Sequence, residues 1–164
     1  MLTIRHIRRD EWKLLRAVRL KALGDAPAAF SEALDEALAE PEDEWRARAE
    51  RGAAGDTSCC ALAFAGDDPI GMAVGVRDPA GACAYLVAMW VDPGHRGTPA
   101  AALLIDSITG WAQAKSIEVL FAGVLRGNDR AAAFYRKVGF TDHDGPIPKH
   151  PIAAGSDSLL SKAL

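Results

Sequence analysis

The sequence has no long apolar run and few cysteines. None of its segments approaches the roughly 20 consecutive apolar residues that a membrane-spanning helix needs. Its three cysteines, Cys59, Cys60 and Cys83, form neither a disulfide framework nor a metal-ligand spacing. The N-terminal residues are predicted to form a strand and not a signal peptide. These absences predict a cytoplasmic protein without a membrane partner or a bound metal.

Signals for nucleotide and nucleic-acid binding are also absent. There is no G-x-x-x-x-G-K-[ST] segment and no G-x-G-x-x-G after a predicted strand, which argues against P-loop enzymes and Rossmann dinucleotide sites. No basic patch has interleaved aromatic residues, so no nucleic-acid partner is expected. His143 and His150 lie near Asp142 and Asp144, but their spacing matches no familiar metal site, and we expect surface positions.

The composition is typical of a globular protein, but its charge is unevenly distributed. Hydrophobic residues make up 49% and charged residues 25% of the 164 residues, which predicts one domain over residues 1–164. Residues 1–23 carry seven basic and two acidic side chains, whereas residues 24–50 carry two basic and nine acidic ones. Two interpretations of this acidic segment stay open: a solvated helix face, or the rim of a site for a cationic amine such as a polyamine.

Hydrophobic periodicity alternates between strands and helices along the chain, which predicts an α/β fold. Strands are predicted at residues 2–7, 57–65, 70–76, 85–91, 117–124, from 140 onwards, and at 157–163. Helices are predicted from a cap at Asp10 to residue 23, from Pro41 to 51, from the loop after residue 95 to 115, and from 128 to 138. Gly139 is expected to end the last of these in a left-handed conformation. Residues 28–40 are predicted to be a short helix or a mobile arm.

Residues 85–104 are the most informative segment. A predicted strand stops at Asp-Pro-Gly and is followed by a basic loop of small residues, which leads into a predicted helix. The first amides of a helix have no partner within it, and the helix dipole places partial positive charge there. Gly97 allows a ligand to approach the backbone closely. The segment therefore predicts a site for an anion such as a phosphate.

At these residues the sequence resembles a known family. Arg-Gly-Thr-Pro-Ala-Ala at residues 96–101 resembles the coenzyme A loop, Q/R-x-x-G-x-G/A, of the GCN5-related N-acetyltransferases, the GNAT superfamily. The segment Asn-Asp-Arg-Ala-Ala-Ala-Phe-Tyr-Arg-Lys-Val-Gly-Phe at residues 128–140 is similar to that family's asparagine-to-tyrosine helix and the Gly-Phe strand entry that follows it. Both blocks occur in the family's order, with a predicted strand between them.

The resemblance implies both a fold and an activity. The fold is a mixed, mostly antiparallel sheet of about six to seven strands with helices on both faces. The activity is acetyl-CoA-dependent N-acetyl transfer to a primary amine of a small molecule or peptide, by direct attack in a ternary complex without a metal. Dimers are common in this superfamily, and the oligomeric state, a homodimer included, stays open.

The same resemblance implies which residues bind the coenzyme. The strand end and the loop, together with the asparagine, supply them: Met89, Trp90, Val91, Arg96, Gly97, Thr98, Pro99, Ala100, Ala101, Ala102 and Asn128.

Pro99 departs from the family pattern, which usually has a glycine at this place. Proline has no N–H group, although its fixed φ suits the first turn of a helix. Because one hydrogen bond to a charged group contributes about 1.5–3 kcal/mol, the loss of one donor predicts weaker but retained coenzyme binding. The Thr98 hydroxyl is a candidate replacement donor.

Tyr135 takes the place of the family's general acid, which protonates the departing sulfur. The alternative is a core aromatic residue beside Phe134. Asn128 takes the place of the residue that holds the pantetheine arm, and it also suits a helix N-cap; the two roles are compatible.

No general base is evident in the sequence. The family often has a glutamate on the strand before the asparagine helix, but residues 121–124 contain no acid. Glu118 lies early on that strand, and Glu32, Asp35 and Glu36 of the acidic segment are candidates that act through a water molecule. Ordered water without a dedicated side chain is the remaining option.

Two functions are consistent with these residues. Tyr135, Asn128 and the retained Arg-Gly pair favour an acetyltransferase. Pro99 and the missing glutamate favour a non-catalytic relative with weakened coenzyme binding and a regulatory or interaction role.

Overall fold

A seven-stranded mixed sheet forms the centre of the molecule, here described over residues 1–164 from a computed structural model. Its strands are β1 (Leu2–His6), β2 (Ser58–Ala65), β3 (Asp68–Arg77), β4 (Cys83–Val91), β5 (Val119–Val124), β6 (Thr141–Asp142) and β7 (Ser158–Ala163). Their spatial order is β1-β2-β3-β4-β5-β7-β6, and only β4 and β5 run parallel. This is the mixed, mostly antiparallel sheet that the sequence predicts.

Six helices cover the two faces of the sheet, and none is long and apolar enough to cross a bilayer. They are α1 (Trp12–Asp25), α2 (Leu34–Ala39), α3 (Glu42–Ala54), α4 (Ala100–Ala114), α5 (Asp129–Lys137) and α6 (Pro151–Ala154). Helices α4 and α5 bury apolar side chains in one core, and α1 and α3 in a second core on the opposite face. The adjacent Cys59 and Cys60 face different cores, as strand alternation requires.

Several predicted element ends are wrong. Asp10 does not cap α1, because the helix begins at Trp12 after Glu11, whose carboxylate instead accepts from the Arg8 N–H at 2.8 Å. The helix also continues through residue 24 to Asp25. Helix α3 extends to Ala54 and ends at Gly55, which has a left-handed φ of 74°. At the start of α1, Glu11 occupies the N-cap position without a side-chain hydrogen bond to the helix, so no capping carboxylate sets this boundary.

The C-terminal third and the acidic segment also differ in detail from expectation. The strand expected from residue 140 is reduced to the two residues of β6, after Gly139 with a φ of 105°. Helix α6 was not predicted; His150 Nδ1 accepts from the Ile152 N–H at its start. Residues 27–39 hold a short 3-10 turn and α2, so the helical alternative for this segment is confirmed.

The centre of the sheet contains a gap between two parallel strands. Strand β4 pairs with β5 only from Cys83 to Leu86, although it continues to Val91. A bulge lies where the strands part: Ala88 has a left-handed φ of 52°, and the pairing of β4 with β3 shifts there. Bulges increase strand twist and redirect peptide groups. The second half of β4 therefore leaves one backbone edge unpaired.

Candidate active site

Three cavities adjoin the gap, and two of them are lined by residues of the sequence blocks at 96–101 and 128–140. The gap cavity, about 220 Å³, lies between the parted strands and is lined by residues that include Val87, Ala88, Met89, Asn128 and Tyr135. The loop cavity, about 430 Å³, lies at the start of α4 and shares Met89 and Asn128 with the gap cavity. The two form a continuous surface from the helix start into the sheet.

Three backbone N–H groups at the start of α4 donate to no protein acceptor: those of Gly97, Ala101 and Ala102. The N–H groups of Thr98 and Ala100 make only long contacts of 3.4 Å, with His95 O and Thr98 Oγ1. Gly97 has a φ of 84°, a conformation that L side chains rarely adopt. The loop thus presents free donors where the helix dipole is positive.

Pro99 is the N-cap residue of α4 and lies one position before the first helical residue. Its φ of −66° and ψ of −3° are helical, so the ring fits without strain. The Thr98 hydroxyl donates to His95 O at 2.6 Å within the protein. That it compensates for the missing donor stays a prediction.

Arg96 is bound to the protein itself. Its Nε donates to Val91 O at 3.1 Å, and its Nη2 lies 2.6 Å from Asp25 Oδ2 at the end of α1. The same carboxylate accepts from Trp90 Nε1 at 3.0 Å. Asp25, Trp90 and Arg96 all line the loop cavity, so one carboxylate adjoins the free amides.

The loop cavity also contains cations that the sequence interpretation missed. Arg130, Phe134 and Lys137 line it from α5, and neither basic residue has a carboxylate partner, whereas Arg136 pairs with Asp142. Their spacing of i, i+4 and i+7 places the three on one helix face. That periodicity was available in the sequence as a signal. On the opposite side His95 Nδ1 is buried and unpartnered.

The peptide groups of β4 alternate between β3 and the gap. The Asp92 N–H donates to Ile70 O, so the peptide groups of this residue face β3. By alternation the N–H and C=O groups of Trp90 also face β3, and those of Met89 and Val91 face the gap. The Val91 carbonyl is the one that Arg96 binds. Met89 and Val91 therefore present backbone groups to the gap, while Trp90 contributes only its side chain to the loop cavity.

Asn128 caps α5, since its Oδ1 accepts from the Ala131 N–H at 3.3 Å. It also lines both cavities, so the N-cap role is confirmed without excluding a ligand contact. Tyr135 is buried, its ring lies 5.5 Å from that of Phe140, and burial raises the pKa of its phenol to about 12. Its hydroxyl has no hydrogen-bond partner within the protein and belongs to the wall of the gap cavity.

No candidate base lines the gap cavity, whose lining contains neither a carboxylate nor a histidine. Glu118 is exposed at the opposite end of β5, and Asp35 and Glu36 are exposed at the start of α2. Glu32 lies nearer, but two arginines bind it, Arg19 at 2.9 Å and Arg48 at 3.4 Å.

The sequence matches the model of a known protein family. The model of the acetyltransferase (GNAT) family matches residues 20–140. That match covers more than half of the sequence, and the chain belongs to the GNAT acetyltransferase family. No curated protein sequence matches it significantly.

Solved structures of the same fold cover the whole chain. The PaiA N-acetyltransferase of Thermoplasma acidophilum, in complex with coenzyme A, is 19% identical with a TM-score of 0.79, covering 100% of this chain and 99% of the other. A GNAT acetyltransferase of Streptococcus pneumoniae is 20% identical with a TM-score of 0.78 and full coverage of both chains. AAC(6')-Iy, in complex with the bisubstrate analogue CoA-S-monomethyl-acetylneamine, is 18% identical with a TM-score of 0.69, covering 92% of this chain and 97% of the other. At these identities the likeness establishes the fold.

Proposed function

We propose that the chain is an acetyl-CoA-dependent N-acetyltransferase that transfers an acetyl group to a primary amine of a small molecule or peptide by direct attack in a ternary complex. The observation that carries this proposal is the set of free N–H groups at Gly97, Ala101 and Ala102. Gly97 and Ala101 line the loop cavity, which adjoins the gap beside β4. Family membership supplies the reaction class, and the location of these groups supplies the site.

The residues present fit a coenzyme with a diphosphate. Free amides at a helix N-terminus bind phosphate oxygens, and Arg130 and Lys137 add unpaired positive charge to the same cavity. The buried, unpartnered Nδ1 of His95 is a further polar atom there that lacks a protein partner. Asp25 opposes an anion, but its charge is balanced by Arg96 at 2.6 Å.

Acetyl-CoA supplies the acetyl group in activated form, as a thioester. The Met89 and Val91 peptide groups that face the gap hold the pantetheine arm in the manner of an added strand, with Asn128 beside them. Tyr135 holds the proton that the departing sulfur needs, because a phenol with a pKa near 12 stays protonated at neutral pH. The gap thus positions the acetyl donor. The Tyr135 hydroxyl protonates the departing thiolate, and the proton that the attacking nitrogen loses on amide formation returns the phenolate to its protonated form.

Deprotonation of the acceptor amine requires no carboxylate in this proposal. The lining of the gap cavity contains no acidic side chain, so the amine loses its proton to water before attack. A glutamate in place of Gly123 would have no space, because its Cβ would overlap Ser156 Oγ.

A cytoplasmic location also belongs to this proposal, in accordance with three free cysteines.

The test is an assay of thiol release from acetyl-CoA with a panel of primary amines, backed by mass detection of the acetylated product. We expect amine-dependent release that is lost in the absence of protein. Product formation without any amine dependence, or no product with any amine, would contradict the proposal.

A second candidate is a non-catalytic module with weakened coenzyme binding. Two observations favour it: Pro99 has no N–H to donate, and Asp25 adjoins the free amides. The same assay separates the two candidates, since this second function predicts no product even where coenzyme binding is measurable.

A further inference from the structure

The third cavity adjoining the gap lies on the α1 and α3 side of the sheet, and we call it the arginine cavity. It measures about 500 Å³, within the range of small-molecule sites. Cys60, Met72 and Val74 contribute apolar surface from β2 and β3. Arg19, Val87 and Ala88 line both this cavity and the gap cavity, so the two cavities adjoin.

The charged lining of this cavity is mainly basic. Arg19, Arg48, Arg51 and Arg77 line it, and Glu32 is the one carboxylate among the lining residues. Arg77 is exposed and has no carboxylate partner. Glu32, Glu40 and Glu44 balance Arg19, Arg48 and Arg51, so the unpaired charge of Arg77 is what favours an anion over a cation in this cavity.

Two buried donors beside the cavity have no acceptor in the protein. Arg19 binds Glu32 through Nε and Nη2, but its Nη1 is buried and unpartnered. Trp45 is only 1% exposed, and its Nε1 also lacks an acceptor. Most buried polar groups are hydrogen-bonded; these two donors belong to residues of the cavity lining, but the atoms themselves are buried and not exposed to the cavity.

The acidic segment does not offer a competing cation site here. Glu32, Glu40 and Glu44 all bind Arg48, at 3.4, 3.5 and 3.5 Å. The negative charges of these three glutamates are therefore balanced by ion pairs with an arginine that itself lines the cavity. The polyamine interpretation of this segment gains no support from these contacts.

We propose that the arginine cavity binds the acceptor and that this acceptor is a small amine that also carries an anionic group, a carboxylate or a phosphate. This inference rests on the proposed acetyltransferase function. The amine lies toward Ala88 and the gap, and the anionic group contacts the arginine side of the cavity. An arginine fork matches both carboxylate and phosphate geometry.

Matched pairs of amines test the inference in the thiol-release assay with the full chain. The carboxylate pair is phenylalanine and phenethylamine, the phosphate pair is phosphoethanolamine and ethanolamine, and spermidine represents polycations. We expect kcat/KM for the anionic member of at least one pair to exceed that of its neutral partner about tenfold or more. The pair that responds identifies the anionic group.

Two outcomes distinguish the failure of this inference from the failure of the proposed function. Preference for neutral amines or spermidine, or turnover of those amines without turnover of either anionic amine, overturns the inference and leaves the proposed function standing. No binding of acetyl-CoA and no product with any amine removes the proposed function as well.

Arg77→Gln provides the variant test, since Arg77 is exposed and its loss leaves no carboxylate unpaired. We expect KM for the preferred anionic amine to rise about tenfold, with KM for acetyl-CoA and for the neutral partner unchanged. Arg46→Gln is the matched control: Arg46 is exposed on α3, pairs with Glu42 and does not line the cavity. Equal KM values in the two variants would overturn the assignment of Arg77.

Discussion

Tyr135 carries a hydroxyl without a protein partner in the wall of the gap cavity. For Tyr135→Phe we expect turnover to fall about a hundredfold or more, as for the loss of a general acid. The ring keeps its contacts with Phe134 and Phe140, so KM for acetyl-CoA and the thermal midpoint should change little. Steady-state kinetics beside a melting curve measure both quantities. Wild-type turnover in this variant would remove Tyr135 from the mechanism.

The absence of a carboxylate from the gap cavity predicts the pH dependence of the reaction. Since only the neutral amine attacks, kcat/KM should rise about tenfold per pH unit until the pKa of the acceptor amine is reached. Tyr135 acts in its protonated form, and burial raises its pKa to about 12, so its titration causes no loss below that pH.

Measurement of kcat/KM against pH for two amines of different pKa checks this expectation. The rise should shift with the pKa of the amine. A fixed midpoint near neutrality for both amines would indicate a base in the protein, contrary to this account.

Among the structural elements, helix α4 matters most for coenzyme binding, and Pro99 at its N-cap leaves one donor missing. Pro99→Gly restores an N–H group there, and we expect coenzyme A to bind up to about tenfold tighter. Pro99→Ala restores the same donor with less added backbone freedom and serves as the control. Calorimetric titration measures both. Unchanged affinity in both variants would show that an N–H at this position does not contact the coenzyme.

Most elements were predictable because their signals are local. Apolar periodicity located α4 and α5, and two apolar runs on either side of a short turn located β2 and β3, which pair as a hairpin with Ala65 opposite Asp68. Helix ends such as the start of α1, which the capping propensity of Asp10 places one residue too early, were not predictable from propensity alone.

The site was predictable only in part, because some of its contacts join distant segments. The α4 loop, Asn128 and Tyr135 form one surface, as the two sequence blocks indicate. The contact between Asp25 and Arg96 spans 71 positions and has no local signature. The same holds for the Ser156 side chain, which fills the space beside Gly123.

At the scale of the whole molecule, many charged side chains of the first 50 residues form ion pairs. Arg19 binds Glu32, and Arg9 lies near Glu50, so basic α1 and the segment before it face acidic partners from residues 24–50. Exposed pairs contribute little to stability, about 0–1 kcal/mol each. Neither interpretation of the acidic segment, a solvated face or a cation site, anticipated these pairings between helices.

The free amides at the start of α4 are the basis of the whole account, and calorimetric titration of the wild-type chain tests them most directly. The two ligands are acetyl-CoA and acetyl-pantetheine, which has the same thioester but no diphosphate. The account predicts saturable binding of acetyl-CoA in roughly the micromolar range, about 8 kcal/mol, and binding of acetyl-pantetheine that is at least about tenfold weaker. Equal affinities for both ligands, or no heat with acetyl-CoA at submillimolar concentration, would contradict it.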